Sequence, residues 1–327
     1  MIGSLLRVRY ELTALLSQGP VFDLYAARDQ VQLRDVSVRM LKPPFGSEEQ
    51  FVERLRDLVD RASIVQHPGI ERLFELDEHE GVPFIVGEPI KGSPLAERLR
   101  KLVSFSVPVA NSTVISICEG VEALHNSGIV HGDLGLHNIT LLADGSTRVQ
   151  LPGIWDAYSA SPTAGAVVLR LMAPYMAPEV SAGAMPSPSS DIYSIGVLLF
   201  ELLSGRQPYV AETPVALAMK HATAPTPSVK LFNPSVPVVL DEIIKKAMSK
   251  DPALRYPTAA ALLHDLRILQ DAIRFGRSLT WPIGQPEAPP APGPQPPPVR
   301  PPKPARAERI VRTYADSPDV PLWMKIS

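Results

Sequence analysis

Asp133 and Asn138 stand five positions apart in "GIVHGDLGLHNITLL", residues 128 to 142, behind an apolar lead that reads as a strand. A carboxylate can accept a proton in a transition state, and an amide oxygen can ligate a hard cation. The two residue types could thus serve as a base and as a cation ligand. A glycine, Gly135, falls between them where a charge would be expected. The loop therefore either performs that chemistry or keeps the shape of one that did.

Such a loop needs a scaffold, and 327 residues suffice for two packed lobes. With 45% hydrophobic and 20% charged residues, the composition is that of a soluble globular protein. A formal net charge of −2 supplies no basic field, so nucleic acid is not an expected partner. A single cysteine, Cys118, leaves no intramolecular disulfide and no cysteine zinc cluster, which fits a reducing, cytoplasmic setting. The most apolar stretch, "IYSIGVLLFELL" from Ile192, is too short to cross a bilayer and reads as a core helix, so no membrane span is expected.

Three short runs, "VRYELTALL", "VFDLYAARD" and "DVSVRML", carry β-branched and aromatic residues between turn-like breaks, as a meander does. Phe51, Leu55, Leu58, Ala62 and Val65 then recur at helical spacing, and "IERLFEL" and "VPFIVGE" read as two more strands. From Ser93 onward helices dominate: "SPLAERLRKLV", "VANSTVISICEGVEALHNSG", "SSDIYSIGVLLFELLSG", "PVALAMKHA", "PVVLDEIIKKAMSK" and "PTAAALLHDLRILQDAIRFG". Proline fills 12 of the 23 positions from Pro282 to Pro304, which excludes helix and central strand there. The expected organisation is an α+β, two-lobed domain over residues 8–275, with an N-lobe at 8–88 and a C-lobe at 89–275. A proline-rich tail over 276–327, extended or disordered, follows it.

In this order the segments resemble the protein kinase fold, most closely the Ser/Thr kinases of bacteria, over roughly residues 8 to 275. "HGDLGLHN" is similar to the catalytic loop H-R-D-x-x-x-x-N, "MAPYMAPE" to the end of the activation segment, and "DIYSIGVLLFELLSGRQPY" to the central C-lobe helix. "MSKDPALRYPTAAALLHDL" is similar to the closing helices. The resemblance implies that Asp191 ties down the catalytic-loop backbone and that Glu179 and Arg255 form a buried bracing pair. It places Asp133 at the catalytic base, Asn138 at a metal ligand and Gly19 in the phosphate loop. Arg39 falls at the phosphate-binding lysine, and Glu88, Ile90 and Thr140 fall around adenine.

Several expected groups are absent. The phosphate loop reads "SQGPVFDLY", with Ser17 and Phe22 at glycine positions, and Phe22 either enters an empty cleft or stands on an exposed hairpin. The helix glutamate position falls on Leu58, which leaves Glu53 and Asp57 as nearby candidates to pair with Arg39. D-F-G falls on "LPG", so Leu151 replaces the magnesium aspartate, and a hydrocarbon cannot ligate a hard cation. Gly135 replaces the loop lysine, Ala173 the activation-segment threonine and Gly132 the arginine that can receive an activation-loop phosphate. Phosphorylation of Ser159, Ser161 or Thr163 would therefore lack that receptor. His137, at the family's glutamate position, reads as a surface or loop histidine. Gly87 opens the back of the adenine pocket unless a neighbouring side chain fills it, and Ser37 makes the roof more polar.

Losing one well-placed electrostatic group costs about 10²- to 10³-fold in rate, and several are missing at once. The leading expectation is a pseudokinase, a kinase-shaped regulatory or scaffold protein that engages protein partners through its domain and proline-rich tail. For the tail a plain spacer role stands beside docking. A divergent Ser/Thr kinase using Arg39, Asn138 and Asp133, and a nucleotide sensor without transfer, are the alternatives. ATP is a doubtful ligand on this reading, and magnesium is not expected.

Overall fold

The computed structural model describes residues 2–161 and 163–283. Six strands form one antiparallel sheet in the order β1-β2-β3-β4-β6-β5. They are β1 (Leu5–Leu6), β2 (Tyr10–Gln18), β3 (Phe22–Asp29), β4 (Arg34–Leu41), β5 (Leu73–His79) and β6 (Val82–Gly87). Gly19 makes the β2–β3 turn: its N–H donates to the Phe22 carbonyl at 2.8 Å, and a Cβ there would lie only 2.9 Å from that oxygen. Helix α1 (Glu49–Ser63) packs on the sheet through Phe51, Leu55, Leu58, Val59 and Ala62, the stripe that its spacing requires.

The strand pair β7 (Ser93–Pro94) and β8 (Ile139–Leu141) joins β9 (Thr147–Val149) in a second sheet, which carries the loop containing Asp133. Beneath it lie α2 (Leu95–Leu102) and α3 (Val107–Asn126). The stretch after β9 is helical, with α4 (Trp155–Ser159), α5 (Ala164–Met172) and α6 (Pro178–Ser181). Helix α7 (Pro188–Ser204) is buried almost all round, as its unbroken apolar run demands, and Ser187 caps it by accepting from the Ser190 N–H. Helices α8 (Pro214–Thr223), α9 (Val238–Ala247) and α10 (Ala259–Phe275) complete the C-lobe.

One apolar cluster runs from Phe22, Phe45 and Phe51 through α3 and α7 to α10. Gly276, at φ +63°, closes α10, and beyond it Leu279, Trp281 and Ile283 are partly buried against the same cluster. The packed chain thus extends past residue 275. Most of the proline-rich stretch expected as a tail, 284–327, lies outside the described residues. Among the described residues, no helix is long and apolar enough to cross a membrane.

Candidate functional site

Asp191, on the first turn of α7, organises the loop that precedes β8. Its carboxylate accepts from the His131 N–H at 2.8 Å and the Gly132 N–H at 2.9 Å, and it lies 2.9 Å from His125 Nε2. His131 is buried, which pushes its pKa down; its Nε2 sits 3.0 Å from the Gln150 carbonyl, and its Nδ1 accepts from the Asp133 N–H at 3.2 Å. The brace expected lower in the C-lobe is present as a bidentate pair, with Arg255 donating to both Glu179 oxygens at 2.6 Å.

Asp133 is only 7% exposed and shares a tight niche with Met172 and Tyr175. His137 is exposed in the loop, as expected, and its Nε2 lies 3.1 Å from both carboxylate oxygens, so it is also a partner of Asp133. Desolvation opposes charge on this imidazole, but the charge and hydrogen bonds of Asp133 outweigh it, and the pKa is raised. Where the loop lysine would stand, a Cβ on Gly135 would meet the His137 ring at 2.6 Å and Tyr175 at 2.8 Å. Gly132, at φ +75°, is covered by Trp155, whose Cβ would be 2.6 Å from any added Cβ. Trp155 thus closes the place of an arginine.

The residues present do not fit a magnesium pair. The Leu151 side chain offers no oxygen, and its backbone sits at φ +49°, a left-handed conformation that a branched side chain adopts at a cost. Asn138 gives Nδ2 to the Asp133 carbonyl and takes the Gly135 N–H on Oδ1 at 3.1 Å, so both ends of its amide serve the loop.

Arg39 is 3% exposed on β4, and its Nη1 donates to Glu71 Oε1 at 2.5 Å. Glu53 and Asp57 are exposed on α1 and do not pair with it. Glu71, fully buried just before β5, also accepts the Leu151 N–H on Oε2 at 3.1 Å. Gln150 lies 3.4 Å from Arg39 Nη2 and donates to Thr140 Oγ1 at 2.7 Å, linking the cation to the pocket floor. The opening at Gly87 is filled: a Cβ there would sit 3.2 Å from Ser37 Oγ and 3.4 Å from Glu71 Oε1.

Towards the hinge, a cavity of about 280 Å³ remains, lined by Glu71, Glu88, Ile90, Thr140, Leu142 and Arg148 among others. Glu88 pairs with Arg148, and its N–H donates to the Arg72 carbonyl at 2.8 Å. Gly19 and Phe22 are not among the cavity's lining residues; Phe22 is 8% exposed within the apolar cluster, which excludes the exposed-hairpin alternative. Tyr158 on α4 stacks on Phe51 with ring centroids 6.3 Å apart. Its hydroxyl pKa is raised by burial and by the charge of Asp133, with Arg39 pulling the other way, so the ring stands in the field of both groups.

Sequence reasoning brought Asp133, Asn138, Arg39 and Thr140 to one region, and the structure joins Arg39 to Thr140 through Gln150. It missed Glu71, Gln150, Trp155 and Tyr158. A signal for Glu71 was present: a carboxylate beginning the strand "IERLFEL" beside an unpaired strand cation.

The chain belongs to the protein kinase domain family, which residues 10–266 match. It is related to bacterial Ser/Thr kinases. Similarity to serine/threonine-protein kinase PrkC of Bacillus subtilis is 33% identity over 275 residues, covering 84% of this chain and 42% of that one. Similarity to PknA of Mycobacterium tuberculosis is 30% over 297 residues, covering 89% and 66%. The chain thus spans about two fifths of the length of PrkC. A crystal structure of the PknI kinase domain of M. tuberculosis, a C20A_R136A double mutant, superposes with a TM-score of 0.68 at 18% identity, over 83% of this chain and 98% of that one. That likeness establishes the bilobal fold.

Proposed function

We propose that this chain is a kinase-shaped regulatory or scaffold protein that performs little or no phosphoryl transfer and acts through protein partners. One observation carries the reading: at the metal position Leu151 has no side-chain oxygen and its N–H is held by Glu71, while the Asn138 amide is consumed by its own loop. Arg39 is ion-paired with Glu71, and the Asp133 carboxylate is hydrogen-bonded by His137. Each group that would handle a phosphate or a metal already has an internal partner.

The hinge cavity favours a second reading, in which a nucleotide is bound and not turned over. A divergent kinase would instead need Asn138 and Arg39 to exchange their present partners for ligand. Thermal unfolding with ATP, run with and without Mg²⁺, separates these readings, because a ligand that binds only the folded state raises its apparent stability. The expected result is that Mg²⁺ adds nothing to any shift that ATP produces. A shift that requires Mg²⁺ would favour the divergent kinase.

A further inference from the structure

The buried cation on β4 has a partner that the helix does not supply. At the helix position where a carboxylate would be expected stands Leu58, 5% exposed and packed in the apolar core. The carboxylate comes instead from Glu71, in the lead into β5, and it is held at three points. Its N–H donates to the Val149 carbonyl at 2.8 Å, Oε1 takes Arg39 at 2.5 Å, and Oε2 takes the Leu151 N–H at 3.1 Å.

Space for that carboxylate depends on Gly87. In the sheet, Gly87 of β6 stands opposite Ser37 of β4 and Leu73 of β5. A Cβ on Gly87 would lie 3.1 Å from the Arg72 carbonyl, 3.2 Å from Ser37 Oγ and 3.4 Å from Glu71 Oε1. A methyl group would touch all three, and any longer side chain would have to enter the volume that the Glu71 carboxylate now fills.

We infer that Glu71 is the positioning residue of this cleft and Gly87 the residue that admits it, so that the ionic lock runs from β4 to Leu151 without passing through α1. Helix α1 meets the stretch after Leu151 through Phe51 on Tyr158, Leu58 beside Gly153 and Arg61 paired with Asp156 at 3.4 Å, and Arg56 donates to the Leu76 carbonyl at 3.3 Å. Among the described residues, none of its side chains bonds to Arg39. Displacing α1 would therefore leave Arg39 paired and Leu151 held, and a partner acting on this helix would not open the lock. This holds whether or not the chain transfers phosphoryl groups.

Amide hydrogen exchange tests the inference on the full chain, because the Leu151 N–H itself reports the lock. In Glu71→Gln, which keeps the side-chain volume and removes the charge, exchange at Leu151 and Arg39 should accelerate by about 10-fold or more, with α1 amides unchanged. Gly87→Thr should reproduce that pattern, and the double variant should be no worse than the more severe single one, since both act on one contact. Fully additive effects of the two substitutions would overturn the role of Gly87. Equal acceleration throughout α1 in Glu71→Gln would overturn the independence of the lock from the helix.

Discussion

Asn138 shows how a residue can keep its position while its chemistry is spent. Both ends of its amide close the loop between Asp133 and Gly135, so its value here is structural. Asn138→Ala would leave a buried N–H and a buried carbonyl without partners, at about 1–3 kcal/mol; the loss should appear as a lower denaturant midpoint with no metal present. His137 carries a pH signature. Its pKa is raised in the folded chain, so the pairing with Asp133 contributes stability that is fully present below about pH 6.5 and is lost as pH rises through the folded value. Urea unfolding of His137→Gln and the parent chain should accordingly differ most on the acid side of that value. A constant difference across pH would contradict the pair. At this scale the sequence disclosed which groups were missing, from Leu151 and Gly135. What stands in at Leu58 and Gly132 was harder to read: Glu71 left only the signal of a carboxylate opening "IERLFEL", and Trp155 is joined to its site only by the folded chain.

Among the elements, the strands and long helices were legible because their burial is periodic. The stripe of α1 is the clearest case, whereas α7 was legible from an unbroken apolar run that is buried almost all round. Helices α4 and α5 were not, because each is short and "WDAYSASPTAGAVVLRLM" is broken by Pro162 and Gly165. What fixes α4 is tertiary: Tyr158 on Phe51, and Trp155 over the notch at Gly132. The contact between α7 and α8 makes a second pH prediction. His221 on α8 is fully buried, with Nδ1 2.9 Å from the Tyr193 hydroxyl, and burial together with the nearby charge of Lys250 pushes its pKa down to about 3. Below its ordinary pKa of about 6.5 the unfolded chain takes up a proton that the folded one refuses. Stability should therefore fall as pH drops from about 6.5 towards 3, with a slope approaching about 1.4 kcal/mol per pH unit from this residue. His221→Gln should flatten that acid limb; an unchanged slope would show that other groups set it.

Across the whole molecule, the bilobal architecture was readable from four motifs in the right order. The end of the packed domain was not, since the segment after Gly276 looks like the start of a proline-rich tail. Leu279, Trp281 and Ile283 nevertheless pack on the core, with Lys246 Nζ 5.8 Å from the Trp281 ring. A chain ending at Gly276 should melt below one ending at Ile283, by about 2–4 °C for each kcal/mol of lost packing. Equal melting temperatures would show that the segment contributes nothing. In the cleft Arg39, Asn138 and Asp133 all have internal partners. Whether they still transfer phosphate is read most directly by incubating the purified chain and Asp133→Asn with labelled ATP and either Mg²⁺ or Mn²⁺. The expected result is no phosphate transfer above that of Asp133→Asn with either metal. Transfer by the parent chain that disappears in Asp133→Asn would contradict the proposed function.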